Sequence, residues 1–365
     1  MRVGLNGRFY GARVTGVQRF AREVARRLVD HLDLTLLLPA NVPDPADVPP
    51  GVPRLRGRLQ GHLWEQLELP TLRAQARCDV LLHLSPTAPL WGGPHVMTVH
   101  DVFPISNPEW FASGFARWYR MSLGPAARRA SVIIAMSQWA RQEVVRWLRV
   151  PPGRVNVVNQ GLAPFDTPAH PQLVKRVTEH FNLEQPYVLS LGSGDPRKNL
   201  GFLNEVVRVW HSLGERVPRV AVAGEGLARV HGADRSEVTN GIISLGYVSD
   251  DDLHALYSGA MAFCFPSLGE GFGRPPLEAM ACGAPVLAAE YGAAWEVLGH
   301  AAEILPLEPR RWVDALRRIH HGQEREDRAS AAAHLARYDW DSSARAVAEC
   351  CWQAAEVPVG GGRYA

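Results

Sequence analysis

The chain has 365 residues, 46% of them hydrophobic, and its 39 basic and 37 acidic side chains leave a formal net charge of +2. Length and apolar content suit two cores of roughly 150 to 180 residues each better than one large core. With no run of about 18 apolar residues, and with polar residues in MRVGLNGRFYG where a signal peptide needs its apolar stretch, neither a membrane span nor a secretory leader is expected, and a cytoplasmic protein is.

In chain order, RVGLN reads as a buried strand and TGVQRFAREVARRLVDHL as a helix, with Val17, Phe20, Val24, Leu28 and Leu32 at helical spacing. LTLLLP, DVLLHLS, HVMTVHD and SVIIAMS follow as apolar runs of strand length, and VNVVNQG closes the set. The Pro-rich GLAPFDTPAHP, Gly161 to Pro171, is the candidate linker. A second series runs YVLSLGS, the helix NLGFLNEVVRVWHSL, RVAVAGEG, GIISLGYV, the helix DDDLHALYSGA, MAFCFPS, a helix after GRPP, PVLAAE and AAEILPL. Three further helices, PRRWVDALRRIHHG, REDRASAAAHLARY and DWDSSARAVAECCWQAAE, precede the tail VPVGGGRYA.

Near-continuous apolar strands separated by helices imply parallel sheets covered on both faces. The expected fold class is therefore α/β, with two Rossmann-like doubly wound domains over 1–164 and 165–339, a closing helix over 340–356 and a flexible tail over 357–365. Tandem domains of this kind place a central cleft between the carboxyl ends of their strands, where ligands bind.

The charge is unevenly spread. Residues 1–165 hold 20 arginines and no lysine against 11 acids, near +9, while the remainder holds 19 basic against 26 acidic residues, near −7. A basic half suits nucleic acid, an anionic membrane or a phosphorylated substrate, or is a solvated arginine surface. No nucleic-acid module is recognisable, so a nucleic-acid partner is not expected. The five cysteines lack any paired C-x-x-C spacing and read as reduced buried thiols, not as a disulfide framework or a zinc site.

Only Lys175 and Lys198 are lysines, and Lys198 lies in LGSGDPRKNL. There Gly192 and Gly194 follow a strand, and Arg197, Lys198 and Asn199 open what reads as a helix. Backbone N–H groups and two cations at one helix N-terminus suit a phosphate or pyrophosphate, although a tight turn with exposed cations has the same sequence. In GEGFGRPPLEAMACG the glycines at 269, 271 and 273 leave amides unobstructed, and Pro275 and Pro276 fit the first turn of a helix that Gly283 ends. Glu278 then falls near that helix's N-terminus, where it either accepts hydrogen bonds from a diol or serves only the helix dipole. Glu270 sits on the loop before it.

The pattern of a glutamate, seven residues and a second glutamate within PSLGEGFGRPPLEAMACGAPV resembles the signature of glycosyltransferase family 4, retaining GT-B nucleotide-sugar transferases. GDPRKNL, AVAGEG, ISLGYVSDDDLHALYSGA and the late YDWDSSARAV resemble that family's C-terminal domain and its closing helix, which returns to the N-terminal domain. TGVQRFAREVARRL, VMTVHDVFP and ASVIIAMSQWARQEVV resemble its N-terminal, acceptor-binding domain. The resemblance spans about residues 1 to 355.

It implies transfer of a hexose, with retention, from a nucleoside diphosphate sugar to an acceptor hydroxyl on a glycan, glycolipid or small molecule. As catalytic residues it implies His100, Glu270, Lys198 and Arg197: Glu270 takes the donor sugar's hydroxyls, and Arg197 and Lys198 neutralise the departing diphosphate. Donor binding falls to Glu278 at the ribose, the amides of Gly271, Phe272 and Gly273, backbone near Tyr247 and Val248 at the base, Gly16 in the first βα loop, and the Ser193 and Leu277 positions. The DPRKN form and HDVFP resemble mannosyltransferases of bacterial polysaccharide assembly, so GDP-mannose is the first donor to expect, with no cofactor. Two departures stand out: many members have arginine where this chain has Ser193, and leucine or isoleucine where it has Arg274.

The Asp-x-Asp within SDDDL, Ser249 to Leu253, would be a metal site in transferases of another fold, but its position reads as an N-cap with acids on the first helical turn, so no metal is expected. PEWFASGFARWYRMSLGPAARRA, Pro108 to Ala130, mixes aromatics with arginines. It reads either as core packing beside a solvated arginine face or as a surface for an anionic membrane, peripheral at its inner face. The competing reading is an inert homologue that binds nucleotide sugar as partner or scaffold. A phosphorylase would need a pyridoxal-binding lysine late in the chain, and none follows Lys198.

Overall fold

The computed structural model describes residues 1–162, 167–224, 241–323 and 328–356, the last without the side chains of 328–330. The tail 357–365, the residues after Gly224 in RVAVAGEG and the middle of the linker lie outside the described residues. Two compact units emerge: unit 1 is Met1–Gly161 with Tyr338–Ala365, and unit 2 is Leu162–Arg337.

Unit 1 is built on a seven-stranded parallel sheet. Its strands are β1 (Arg2–Asn6), β2 (Asp33–Leu38), β3 (Arg54–Arg56), β4 (Val80–His83), β5 (His95–Val99), β6 (Val132–Ala135) and β7 (Val155–Val157), in the order β3-β2-β1-β4-β5-β6-β7. All but short β3 lie in runs the apolar pattern predicts; β3 carries two arginines and, as an edge strand, is buried on neither face. The helix Gly16–Leu28 buries Phe20, Ala21, Val24, Ala25 and Leu28, the stripe its 3.6-residue period predicts. Gln18 accepts from the Thr15 backbone N–H at 3.2 Å and so closes its first turn.

The closing helix, Trp340–Glu356, belongs to unit 1. Trp340 packs on Phe20 at 6.1 Å between ring centroids, and a Cβ on Gly161 would collide with it. Ser343 Oγ donates to the Asn159 carbonyl at 2.7 Å, and Asn156 Nδ2 donates to Gln353 Oε1 at 2.6 Å.

Unit 2 carries a six-stranded parallel sheet in the order β10-β9-β8-β11-β12-β13. The strands are β8 (Tyr187–Leu191), β9 (Arg219–Ala223), β10 (Ile242–Gly246), β11 (Ala262–Phe265), β12 (Val286–Ala289) and β13 (Glu303–Leu305). Its core joins Phe202, Leu203, Val206 and Trp210 of the helix Gly201–His211 to Trp312 and Leu316 of the helix Pro309–His320, across β8, β9 and β11. The candidate linker is shorter than its composition suggests, because Pro171 is already the first residue of a helix, Pro171–His180. Proline fits that position since the first N–H of a helix has no partner to lose. In each sheet the strand order reverses once, between β1 and β4 and between β8 and β11, and in folds of this type ligands bind beside the loops that leave those strands at their carboxyl ends.

All five cysteines are buried and unpaired by disulfides. Among the described residues no helix is long and apolar enough to cross a membrane.

Candidate active site

The loops leaving β8 and β11 meet over the reversal point of unit 2. Asn199 Nδ2 donates to the Pro266 carbonyl at 3.2 Å and Leu268 N–H to the Arg197 carbonyl at 2.8 Å, which staples one loop to the other. Arg197 and Lys198 do not open a helix, as their spacing suggested. They lie in a single 3-10 turn, Pro196–Lys198, capped by Asp195, and Asn199 adopts a left-handed conformation (φ 49°) before the helix begins at Gly201. The turn aims both cations at one carboxylate. Lys198 Nζ is 2.7 Å from Glu270 Oε1 and Arg197 Nη1 3.0 Å from Oε2, while Ser267 Oγ donates to Oε1 at 2.7 Å.

Glu270 is 8% exposed, so it is no solvated loop acid. Burial alone would raise its pKa, but the charges of Lys198 and Arg197 outweigh that and hold the carboxyl below the usual range. Lys198 Nζ also stands 5.4 Å from the centre of the Phe265 ring, and Arg197 is further fixed by Asp195 at 3.2 Å. The result is a mostly buried cluster of two cations and two carboxylates with Glu270 at its centre.

Glu278 belongs to a second cluster. It is the fifth residue of the helix Arg274–Ala281, in the second turn and not beside the N-terminus, so the dipole argument does not account for it. Its counter-charge is Arg274, one helical turn earlier, with Nε 2.7 Å from Oε1; Tyr257 Oη donates to Oε2 at 3.3 Å. Burial, then the Glu278 charge, pushes the Tyr257 hydroxyl well above its ordinary pKa, so it stays a donor. Arg274 Nε and Nη1 are buried and have no hydrogen-bond partner among the described groups, so the close approach is a charge contact without N–H alignment. The residue for which the sequence offered no account is thus the partner of the ribose candidate. The i, i+4 spacing on a helix was the available signal.

Between the clusters, Gly271, Phe272 and Gly273 are buried, and Gly273 caps the helix at φ 89°, where a Cβ would run into the Tyr291 hydroxyl. Leu277 is wholly buried, its side chain in the core. Ser193 is exposed and its Oγ accepts from the Asp195 N–H at 3.4 Å. Tyr247 is 70% exposed and Val248 half-buried, between β10 and Ser249. Ser249 accepts from the Asp252 N–H at 3.2 Å, so SDDDL is the N-cap its spacing indicates. Among the described residues no group of His, Cys, Asp and Glu is placed to hold a metal ion.

Two site candidates lie in unit 1. Gly16 opens its helix with nothing of the chain within 4 Å of an added Cβ, so no contact within the unit demands glycine there. His100, just past β5, is buried; its Nε2 donates to the Leu84 carbonyl at 3.2 Å and its ring meets Phe20 edge-on at 5.3 Å. Burial lowers its pKa to about 4 and that of His83 to about 3, from an ordinary 6.5. Both are neutral at pH 7. As pH falls below 6.5 the unfolded chain takes up protons that the folded one refuses, so stability is expected to decline between pH 6.5 and about 4. Thermal unfolding followed by circular dichroism at stepped pH checks this; a midpoint unchanged down to pH 5 would contradict it.

Comparison with known proteins adds to this geometry. The family model for glycosyl transferases group 1 matches residues 173–335, and that for Glycosyltransferase Family 4 matches 14–164. The serotype-specific mannosyltransferase WbdA of Escherichia coli is 31% identical over 280 residues, 68% of this chain and 32% of the relative. O-antigen chain mannosyltransferase B of the same species is 32% identical over 213 residues, 56% of this chain and 55% of the relative. The match thus spans about a third of WbdA's length and about half of the second relative's. Among solved structures, Anabaena HepE in complex with UDP and glucose aligns with TM-score 0.71 at 20% identity, over 95% of this chain and 98% of its own. WaaG, a glycosyltransferase involved in lipopolysaccharide biosynthesis, aligns with TM-score 0.68 at 15% identity, over 96% and 99%. These alignments assign each unit to the GT-B type of Rossmann-like fold.

Proposed function

The chain belongs to glycosyltransferase family 4, and we propose that it transfers a hexose from a nucleoside diphosphate sugar to a hydroxyl of a glycan acceptor, with retention at the anomeric carbon. The observation that carries this reading is the buried Glu270 held between Lys198 and Arg197 at the reversal point of the unit 2 sheet. In a transferase, negative charge grows on the departing diphosphate. Two cations already fixed in a desolvated loop stabilise that charge without reorganising first. Glu270 then takes the hydroxyls of the donor sugar, Glu278 those of the ribose, and the amides of Gly271 to Gly273 the region between. Ser193, Leu277, Tyr247, Val248 and Gly16 complete the donor contacts, the first four through backbone or short side chains, and His100 acts as a neutral hydrogen-bonding group. The domain division 1–164, 165–339 and 340–356 goes with this assignment of roles.

Mannose is the sugar to test first, since both curated relatives are named mannosyltransferases. A peripheral position at the inner membrane face rests on side chains that unit 1 leaves exposed, Leu63, Leu67, Phe115 and Met121, beside the arginines of 113–129. One experiment addresses both points. GDP-, UDP- and dTDP-sugars are screened by thermal shift, where a ligand at 100 times its Kd adds about 2.7 kcal/mol of stability. Turnover of the best donor is then read as nucleoside diphosphate release, with and without anionic vesicles. A GDP-sugar is expected to stabilise and to turn over, and the vesicles to float the protein at low salt. No stabilisation by any donor would sink the donor assignment, and no flotation would remove the membrane. Slow donor hydrolysis without acceptor separates the enzyme from an inert homologue.

A further inference from the structure

His100 stands one residue past the end of β5, and Leu84, whose carbonyl takes its Nε2–H at 3.2 Å, one residue past the end of β4. With the tautomer assigned from that bond, Nδ1 is the acceptor the ring presents. One hydrogen bond does not fix the plane of an imidazole. The χ2 torsion of histidine has broad, roughly two-fold wells, so the ring turns about its Cβ–Cγ bond unless a second contact selects one plane. Among the described residues that second contact is Phe20, whose ring meets the imidazole at 5.3 Å between centroids and 85° between planes. An edge-to-face pair is directional, because the positive edge of one ring seeks the negative face of the other.

Phe20 is wholly buried on the helix Gly16–Leu28, and its own χ2 is equally soft. The ring set against it is Trp340, 6.1 Å away with the planes at 53°. Trp340 is the first residue of the closing helix and has little room to shift. An added Cβ on Gly161 would lie 2.5 Å from Trp340 Cγ and 2.6 Å from its backbone N, so the main chain at Gly161 is already pressed against the indole. Asp341 accepts from Arg27 Nε at 2.5 Å and Ser343 donates to the Asn159 carbonyl at 2.7 Å, which anchors the same turn. Three rings therefore stand in series, Trp340, Phe20 and His100, all within unit 1, with the anchored helix at one end and the imidazole at the other. A core asks for volume at such positions, and aliphatic side chains of similar size supply it. Ring on ring adds orientation.

We propose that Phe20 and Trp340 are positioning residues for His100: the closing helix sets the plane of the imidazole through Phe20 and so aims Nδ1. The inference rests on the role proposed for His100 where it touches catalysis, and on the contacts alone for the orientation. The test uses the full chain labelled with nitrogen-15 at histidine. Long-range proton–nitrogen correlation reads the tautomer and sharpness of each imidazole, and the His100 signals are those lost in His100→Gln. Wild type should show one sharp Nε2–H form. Phe20→Leu, which conserves most of the core volume, should mix the tautomers or broaden the His100 signals while those of His83 and His95 stay in place. Gly161→Ala, which alters none of the three rings, should do the same by displacing Trp340. Trp340→Phe, which keeps a ring against Phe20, should preserve the wild-type signals. Turnover of the fastest donor from the screen is measured alongside. Phe20→Leu should lower kcat about tenfold with GDP affinity unchanged, because a small misplacement at the reacting centre is costly. His100 signals unchanged in both Phe20→Leu and Gly161→Ala would overturn the proposal, as would wild-type kcat in Phe20→Leu beside a His100→Gln that has lost turnover. Reoriented signals together with full turnover in His100→Gln would support the positioning and overturn the role of His100 instead.

Discussion

Replacing Lys198 by alanine should lower kcat/KM by about 100- to 1000-fold, the loss expected when one preorganised group facing developing negative charge is removed. The size follows from where the ammonium stands. It is mostly buried, 2.7 Å from Glu270 and over the face of Phe265, so its field is screened far less than that of a surface lysine. The fold should survive the change, because Glu270 keeps Arg197 at 3.0 Å and Ser267 at 2.7 Å. Lys198→Arg should recover only part of the loss: the charge returns, but as a planar fork in place of a compact point. Steady-state turnover beside a thermal melt checks both, and wild-type activity in Lys198→Ala would take the lysine out of the site.

Glu270→Gln should cut kcat by about 100-fold and, in the same protein, tighten binding of the nucleoside diphosphate product by about tenfold, or ~1.4 kcal/mol. The opposite signs come from one arrangement. Glu270 is paired with both cations, so an arriving diphosphate competes with it for them. Glutamine keeps the shape and ends the competition, while the group proposed to grip the transferred sugar is weakened. Calorimetric titration with GDP reads the affinity and donor turnover reads kcat. Weaker product binding in Glu270→Gln would mean that the carboxylate does not compete with the diphosphate.

The two sheets were legible because most strands are near-continuous apolar runs, and because Gly and Pro punctuate the loops between them. Edge strand β3 was not legible, since a three-residue strand with two arginines carries no burial signal. The helix Pro171–His180 was not foreseen: the candidate linker ends on its first residue, and proline marks a helix start and a turn equally well. At the site, the sequence marked Lys198 at a helix start and Glu270 on a loop, each after a strand, but could not join them, since 72 positions separate them. Their juxtaposition is a product of strand order. Arg274 and Glu278 are the converse case, an i, i+4 pair on one helix that local periodicity could have joined.

The closing helix has a consequence for how the two units share stability. Unit 1 is completed by a segment that rejoins the chain only after all of Leu162–Arg337. That stretch is the tether holding Trp340 and its neighbours near the groove beside Phe20. When unit 2 is folded the tether is short and its ends are confined; when it unfolds, the same segment must be recaptured at the end of a long flexible loop, and each doubling of loop length costs about 0.6 kcal/mol in closure entropy. Loss of structure in unit 2 is thereby transmitted to unit 1 through the covalent connection itself. The two sheets are thermodynamic partners by topology, whatever surfaces they do or do not share.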